Sequence, residues 1–547
     1  MKRLLPVLAL FAVLCGCCSC GRVIPTDGEV AVVPLPEHIV EGQGTFRLTS
    51  DAEVVLLFDD ERLSGVTAAL NKVLMPLFGR GPRVRHADKA ADHAVNVTRD
   101  ETMPAEAYRL FVTPCRIDIV AGGAQGVFYA VQTLRQLLPA AAYEADDMRA
   151  VELPVVTIED KPCLGYRGMM LDVCRHFFPV EDVKTYIDIL SLHKINKFHW
   201  HLTDDQGWRI EIKKYPLLTQ IGSRRAETLV GRYDKNKEGV YDGKPYGGFY
   251  TQEEIREIVS YAAERHIEVI PEIEMPGHGL AALTAYPWLG CTGGPYAVWT
   301  HWGISDDVYC AGKETTFEFI EDVLTEVLAL FPSKLIHIGG DECPKGRWKA
   351  CPLCQQRIRE EGLKDEYQLQ SYFIHRIERW MHAHGREIIG WDEILQGGIS
   401  KTANIMSWNG SDPGIKAAQR GNPVIMTPKW YCYFDYSQTS DPERYEPLGN
   451  TRYVSVRQAY RLDPCDRLTL PDQKRIRGVQ CNLWTEYIAD IRHAQHMVLP
   501  RMAALAETGW ANDRKDYNDF VRRIPALVAV YKAEGYNYAP YLFEGIE

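Results

Sequence analysis

The residues able to do chemistry fall in short clusters along the chain. Asp341 and Glu342 are adjacent, Asp204 follows His201 by three residues, and His278 closes the run Pro271-Glu-Ile-Glu-Met-Pro-Gly-His278. Further on come Trp391-Asp392-Glu393, Trp408, Tyr433-Phe434-Asp435 and Trp484-Thr485-Glu486. Carboxyl groups move protons and hold hydroxyls, and flat indole faces grip sugar rings and other planar ligands. Hydrolysis of a glycosidic bond usually needs one carboxyl group on each side of that bond. Asp341 and Glu342, being neighbours, are poorly placed for such a division. A metal-dependent hydrolase such as a deacetylase is the alternative. His199 and His201 would face one side of a strand, and Asp204, His278 and Asp341 could complete a metal site. Singly these signals are weak, because a strand-end Asp often caps a helix and a lone Trp is more often core.

The composition narrows the partners. The chain has 547 residues, 46% hydrophobic and 25% charged, which are ordinary globular proportions. A net charge of -11, from 62 basic and 73 acidic residues, offers no basic footprint for a phosphate backbone. Nucleic acid is therefore not an expected partner. The 12 Trp and 28 Tyr fit an uncharged ligand with apolar faces better.

The elements that must position these clusters read as two units. Residues 22–160 predict a small α/β domain, with strands at 53–58, 93–97, 108–113 and 116–121 and a helix at 126–138. Pro154 and Asp160-Lys161-Pro162 mark the boundary. From residue 163 to 510 strand and helix patterns alternate. Strands are expected at 167–172, 197–202, 268–273, 335–339, 387–391, 404–408, 423–427 and 478–483. Amphipathic helices at 180–193, 252–265, 316–330 and 367–384 separate several of them. Eight strands mostly followed by helices predict an α/β fold, a (β/α)8 TIM barrel. No G-x-G-x-x-G or P-loop motif follows a strand, which removes support for an open nucleotide-binding sheet. A closing helix at 494–507 and residues 511–547 are expected to pack on the barrel. In such a barrel the site lies where strands end, and the polar and tryptophan clusters all fall at strand ends.

At this point the chain resembles the family 20 β-N-acetylhexosaminidases. The resemblance rests on His201-Leu-Thr-Asp-Asp-Gln-Gly-Trp208, the Pro271 to His278 segment, Gly339-Gly-Asp-Glu342 and Trp484-Thr-Glu486, and it covers about residues 30 to 510. It implies a retaining exo-glycosidase acting on terminal β-linked GlcNAc or GalNAc of N-acetylhexosamine-containing glycans, with no cofactor. The nucleophile would be the substrate's own 2-acetamido oxygen. Glu342 would then be the general acid, with a pKa raised by the tryptophan-rich rim. Asp341 would hold the acetamido N–H and Tyr433 its oxygen. Trp391, Trp408 and Trp484 would wall the pocket, and Arg167, Asp435 and Glu486 would bind ring hydroxyls. Asp204 and His278 would support the acid through a network. Against these roles stand plainer ones: a barrel ion pair for Arg167, a turn for His278, a helix cap for Asp204. Asp205, Asp392 and Glu393 are expected to be structural, and Trp200 to pack. A non-catalytic glycan-binding lipoprotein that kept the pocket is the remaining alternative.

Residues 1–16 have the layout of a secretory signal: Lys2-Arg3, an apolar run from Leu4 to Leu14, then small residues. Leu14-Cys-Gly-Cys17 resembles a bacterial lipoprotein signal, with Cys17 as the lipid-bearing residue. The expected location is therefore the cell envelope, with the membrane reached only through that anchor and the oligomeric state left open. Among the cysteines beyond the leader, Cys343, Cys351 and Cys354 include a C-x-x-C pair. No fourth ligand lies near them in sequence, so a local disulfide or free thiols are expected and a metal is not.

Overall fold

The computed structural model describes residues 22–58, 64–145 and 148–546. The leader and Cys17 lie outside the described residues.

The first unit is built on an eight-stranded sheet. The strands Glu53–Leu56, Ala94–Arg99, Tyr108–Val112 and Ile117–Ala121, and the helix Ala124–Gln136, occupy the regions their patterns predict. Two long antiparallel strands, His38–Thr49 and Met148–Asp160, add to the expectation. The first of them is exposed along most of its length, so it carries no apolar alternation to announce it.

The second unit is a closed barrel of eight parallel strands. In chain order they are Tyr166–Asp172, Lys197–His201, Glu268–Glu272, Leu335–His337, Glu387–Trp391, Asn404–Ser407, Val424–Met426 and Ile476–Leu483. All eight coincide with predicted strands. The last pairs with the first, Leu483 opposite Leu171, which closes the ring. Tyr166, Ile270, Leu335, Ile389, Met406 and Ile425 fill its interior, so the barrel is a packed core and only its rim is free to form a site. Helices Val180–Leu192, Gln252–Ala263, Glu314–Leu330 and Glu366–Ala383 cover the outside. Their starts are marked locally: Thr251 and Glu254 form a capping box, and Asp365 accepts from the Tyr367 and Gln368 amides. The predicted closing helix is two helices, Ile491–Val498 and Arg501–Ala511, because Pro500 cannot continue the first. The long helix Tyr517–Ala533 near the C-terminus is tied back by the buried Arg523–Glu507 ion pair.

Buried charges join the two units. Lys194 Nζ lies 3.2 Å from Asp160 Oδ2 and 2.9 Å from Tyr108 Oη, and Trp510 donates to Asp160 Oδ1 at 2.6 Å. Each buried charge has an opposite charge and further hydrogen bonds, the condition under which its desolvation is tolerated.

Candidate active site

Strand ends converge on a cup of about 170 Å³ at the C-terminal rim of the barrel. Its wall includes Arg175, Asp204, His278, Asp341, Glu342, Trp408, Tyr433, Asp435, Trp484 and Glu486. Seven separate loops contribute, each leaving its strand at the same end.

The fourth strand delivers the adjacent acids through a left-handed turn. Gly339 and Gly340 have φ of 65° and 91°, and Glu342 itself has φ of 40°. A Cβ on Gly339 would lie 1.7 Å from Glu274 Oε2, so glycine is required there by space as well as by conformation. A positive φ costs a glutamate free energy, and such strain persists where surrounding structure enforces it, characteristically at functional sites. The turn separates the two side chains. Asp341 is buried, with Oδ1 lacking a hydrogen-bond partner among the described residues, whereas the Glu342 side chain stays 35% exposed at the lip.

A charged network backs them. His278 Nδ1 sits 3.2 Å from Asp204 Oδ1 and 3.4 Å from Asp205 Oδ2. Its Nε2 sits 3.8 Å from Asp341 Oδ2 and 3.6 Å from Glu342 Oε2. Burial opposes the charge on His278, but Asp204, Asp205 and Asp341 overcome it and hold its pKa well above the usual value. Burial also disfavours a charged Asp204, yet Arg175 and His278 keep that carboxylate well below its usual range. Asp341 is pushed up to about 7, chiefly by burial and by the neighbouring charge of Glu342, against the pull of His278. Glu342 departs from expectation. Burial does raise it, but the hydrogen bond and charge of His278, with Arg175, outweigh that and leave it below the ordinary value.

Trp408 and Tyr433 stand nearly parallel, 6.0 Å between centroids at 13°, and Trp484 lies 6.3 Å from Tyr433. The Trp408 indole is fixed by Glu393, which accepts its N–H at 2.9 Å, and its amide by Asp392 at 2.8 Å. Those two acids thus position an aromatic wall. Asp435 is buried and Glu486 half-buried, and both are raised above their usual pKa, Asp435 well above, with desolvation the largest cause for each. The shift favours the neutral form, in which a carboxyl group both accepts from and donates to hydroxyls.

Two expected residues are elsewhere. Arg167 is not in the cup. It lies one residue into the first strand, and Asp172 at the other end is about 16 Å away at 3.3 Å per residue. There it bonds Glu106 at 2.6 Å and Tyr129 at 2.9 Å, joining the barrel to the small domain. The arginine in the cup is Arg175. It reaches Asp172 at 3.1 Å, Asp204 at 3.0 Å and Gln206 at 3.0 Å, and lies 5.0 Å over the Trp484 ring. Trp391 does not wall the cup either. It is buried beneath it, donating to Glu272 at 2.8 Å with its ring 5.9 Å from that of Trp484. Trp200 packs between Phe198 and Tyr250, as expected of a core residue. Glu274, Tyr436, Asn450 and Arg452 line the cup without having been singled out. Glu274 alone sat within a recognisable motif.

The histidine central to the metal alternative is engaged by carboxylates at both ring nitrogens. His201 contacts Glu272 through Nδ1 and Asp204 through Nε2, the latter at 2.8 Å. Burial opposes its charge, but these two carboxylates raise it to about 10, which favours a proton on each ring nitrogen.

The profile described as "Glycosyl hydrolase family 20, catalytic domain" matches residues 164–513, and "Glycosyl hydrolase family 20, domain 2" matches residues 29–161. The chain belongs to glycosyl hydrolase family 20. Within it, the chain is 43% identical over 518 residues to the β-hexosaminidase of Porphyromonas gingivalis, covering 94% of this chain and 64% of that protein. The chain thus spans just under two thirds of that relative's length. It is 38% identical to a β-hexosaminidase of Vibrio furnissii, over 89% of this chain and 78% of the relative. Among solved structures, the exo-β-N-acetylglucosaminidase of Vibrio harveyi in complex with N-acetylglucosamine superposes with a TM-score of 0.82 at 32% identity, covering 93% of this chain and 78% of the other. The β-N-acetylhexosaminidase of Bacteroides fragilis superposes with a TM-score of 0.78 at 32% identity, over 93% and 97%. This is the family whose motifs the sequence resembles, and its fold is the (β/α)8 barrel with a preceding small domain.

Proposed function

We propose that the protein is an exo-acting β-N-acetylhexosaminidase that removes terminal non-reducing β-linked GlcNAc or GalNAc by substrate-assisted, retaining catalysis. One observation carries the reading: of two adjacent acids, Asp341 is buried with an unpartnered oxygen and Glu342 is at the lip. An N-acetyl group inside the cup would place its N–H on Asp341 Oδ1 and its carbonyl oxygen beneath the anomeric carbon, with Tyr433 donating to that oxygen. The carbonyl oxygen then attacks the anomeric carbon as the bond to the leaving oxygen breaks, and Glu342 gives its proton to the departing oxygen. The positive charge on the acetamido nitrogen is matched by the Asp341 carboxylate. In the second step water attacks the anomeric carbon, Glu342 takes its proton, and the acetamide re-forms with the original configuration. Trp408, Tyr433 and Trp484 exclude water and cover the ring faces, and Arg175, Asp435 and Glu486 hold hydroxyls at the blind end. A cup this small, closed below by Trp391, suits a single terminal sugar.

The test is a panel of chromogenic glycosides. β-GlcNAc and β-GalNAc aryl glycosides are expected to be cleaved with retention, and the plain glucoside and free-amine glucosaminide hardly at all. Comparable turnover of the glucoside overturns the reading, and an absence of turnover on every glycoside, with glycan binding unchanged by Glu342→Gln, would favour a non-catalytic binder.

The leader supports export, and Leu14-Cys-Gly-Cys17 supports a lipid on Cys17 that holds the enzyme in the cell envelope. Among the described residues no helix is long and apolar enough to cross a membrane. Release of a Cys17→Ser variant from the membrane fraction is the expected result, and its retention there contradicts the anchor.

A further inference from the structure

The C-x-x-C pair that the sequence leaves without partners acquires two in space. Cys291 and Cys310 come from the long loop after the third barrel strand, and Cys351 and Cys354 from the segment after the fourth. The four sulfurs lie within 4.8 Å of one another. Cys354 Sγ is 3.8 Å from Cys291 Sγ and 3.6 Å from Cys310 Sγ, and Cys310 Sγ is 3.8 Å from Cys351 Sγ. We propose that Cys291, Cys310, Cys351 and Cys354 form a tetrathiolate site for one zinc ion.

The spacing carries the argument. Four thiolates at about 2.3 Å from a tetrahedral zinc are about 3.8 Å from one another, which is the separation found here. Two disulfides would instead sort the sulfurs into two pairs about 2 Å apart. Here Cys310 and Cys354 each stand at near-equal distance from two neighbours. Chemistry and placement agree with the spacing. An all-sulfur tetrahedral set suits zinc and excludes magnesium or calcium. Cys351 caps the helix Pro352–Glu360 and Cys354 lies in its first turn, where backbone N–H groups and the helix dipole favour thiolate charge. Cys310, Cys351 and Cys354 are buried, while Cys291 is half-buried and leaves a way in for the ion. Binding would displace the thiol protons and leave a closed site with no open position, so the ion would be structural rather than catalytic.

The site would staple two segments that flank the cup. The Cys310 amide bonds Leu289 O, and the Tyr309 amide bonds Pro276 O two residues before His278. On the other side Trp348, in the short helix after Glu342, donates to Tyr309 O at 2.9 Å. The loop between Leu289 and Glu314 contains no helix or strand of its own, and a metal clip would supply the order that a core does not.

Zinc and iron content of the purified full chain, measured by mass spectrometry of the metals, tests this directly. The expected result is about one zinc per chain, with all four thiols blocked to alkylation in the native protein and reactive once a strong chelator and denaturant are added. Cys291→Ser and Cys354→Ser should each lower zinc at least tenfold, Cys291→His should retain it, and Cys115→Ser, at an exposed and distant cysteine, should leave it unchanged. Should a serine variant fail to fold, the wild-type content still decides. Less than a tenth of a zinc per chain overturns the proposal, whether the denatured chain then carries two disulfides among these cysteines, four free thiols, or iron in place of zinc. Hydrolytic activity does not enter this readout, so its outcome is separate from that of the proposed function.

Discussion

His278 Nε2 stands 3.6 Å from Glu342 Oε2, while Nδ1 of the same ring stands 3.2 Å from the buried Asp204. The imidazolium therefore connects an acid that never leaves its charged state to one that must lose and regain a proton. It holds Glu342 low, which favours placing the proton of the acidic pair on Asp341. Catalysis needs the reverse distribution. An N-acetyl group donating to Asp341 supplies the reason for the exchange, because hydrogen bonding to a carboxylate favours its charged form and frees the proton for Glu342.

Replacing Glu342 by Gln keeps its shape and removes its proton. Turnover of an aryl N-acetylglucosaminide with a poor leaving group is expected to fall by about 10²- to 10⁴-fold. The loss should be smaller for a strongly acidic phenol, whose departure needs less protonation. Steady-state kinetics on the two substrates checks the difference, and equal losses would contradict the acid role.

The pair sets the pH dependence. Below the depressed pKa of Glu342 both acids are protonated and no carboxylate faces the acetamide. Above about 7, where Asp341 loses its proton, both are anionic and no acid remains. The profile of kcat/KM for the free enzyme is expected to be a bell whose alkaline limb falls near pH 7. A profile flat from pH 6 to 9 would show that the pair does not hold the working proton.

Asp341→Asn should move that alkaline limb to lower pH, toward the depressed pKa of Glu342, as well as lower the rate. Losing a hydrogen bond to a charged partner costs about 1.5–3 kcal/mol, or roughly 10- to 150-fold in kcat. The same variant should discriminate less between the N-acetylglucosaminide and the glucoside, which side-by-side kinetics would read.

The two arginines of the first strand and its loop separate binding from stability. Arg175→Lys loses the fork that reaches Asp172, Asp204 and Gln206, and kcat/KM should drop by about tenfold or more. Arg167→Met leaves Glu106 and Tyr129 without their cation and should destabilise by on the order of 3 kcal/mol. Its KM at 25 °C should be unchanged. Thermal melting and steady-state kinetics on both variants test the assignment.

The barrel was legible because each strand carries its own apolar run and ends in a recognisable polar cluster, and independent strands do not align carboxylates and tryptophans at one rim by chance. Less legible were features fixed by three-dimensional neighbours. Arg167 and Arg175 differ by eight positions in sequence and by the whole height of the barrel in space. The pKa of Glu342 depends on His278, which arrives from another strand. Trp391 carries the same motif signal as Trp408, yet its indole turns down to Glu272 whereas that of Trp408 is held at the surface by Glu393. The four clustered cysteines come from a loop and from the start of a helix some way along the chain, so no spacing rule links them.

In the proposed mechanism the sugar's own acetamide supplies the nucleophile. A series of aryl β-glucosaminides bearing acetyl, fluoroacetyl, difluoroacetyl and trifluoroacetyl groups on the nitrogen measures this most directly, since each fluorine withdraws charge from the attacking oxygen while scarcely altering the ring. With the acetamide as nucleophile, kcat is expected to fall steeply and monotonically along the series. A kcat that stays constant across it would mean that a group of the protein, and not the substrate, attacks the anomeric carbon.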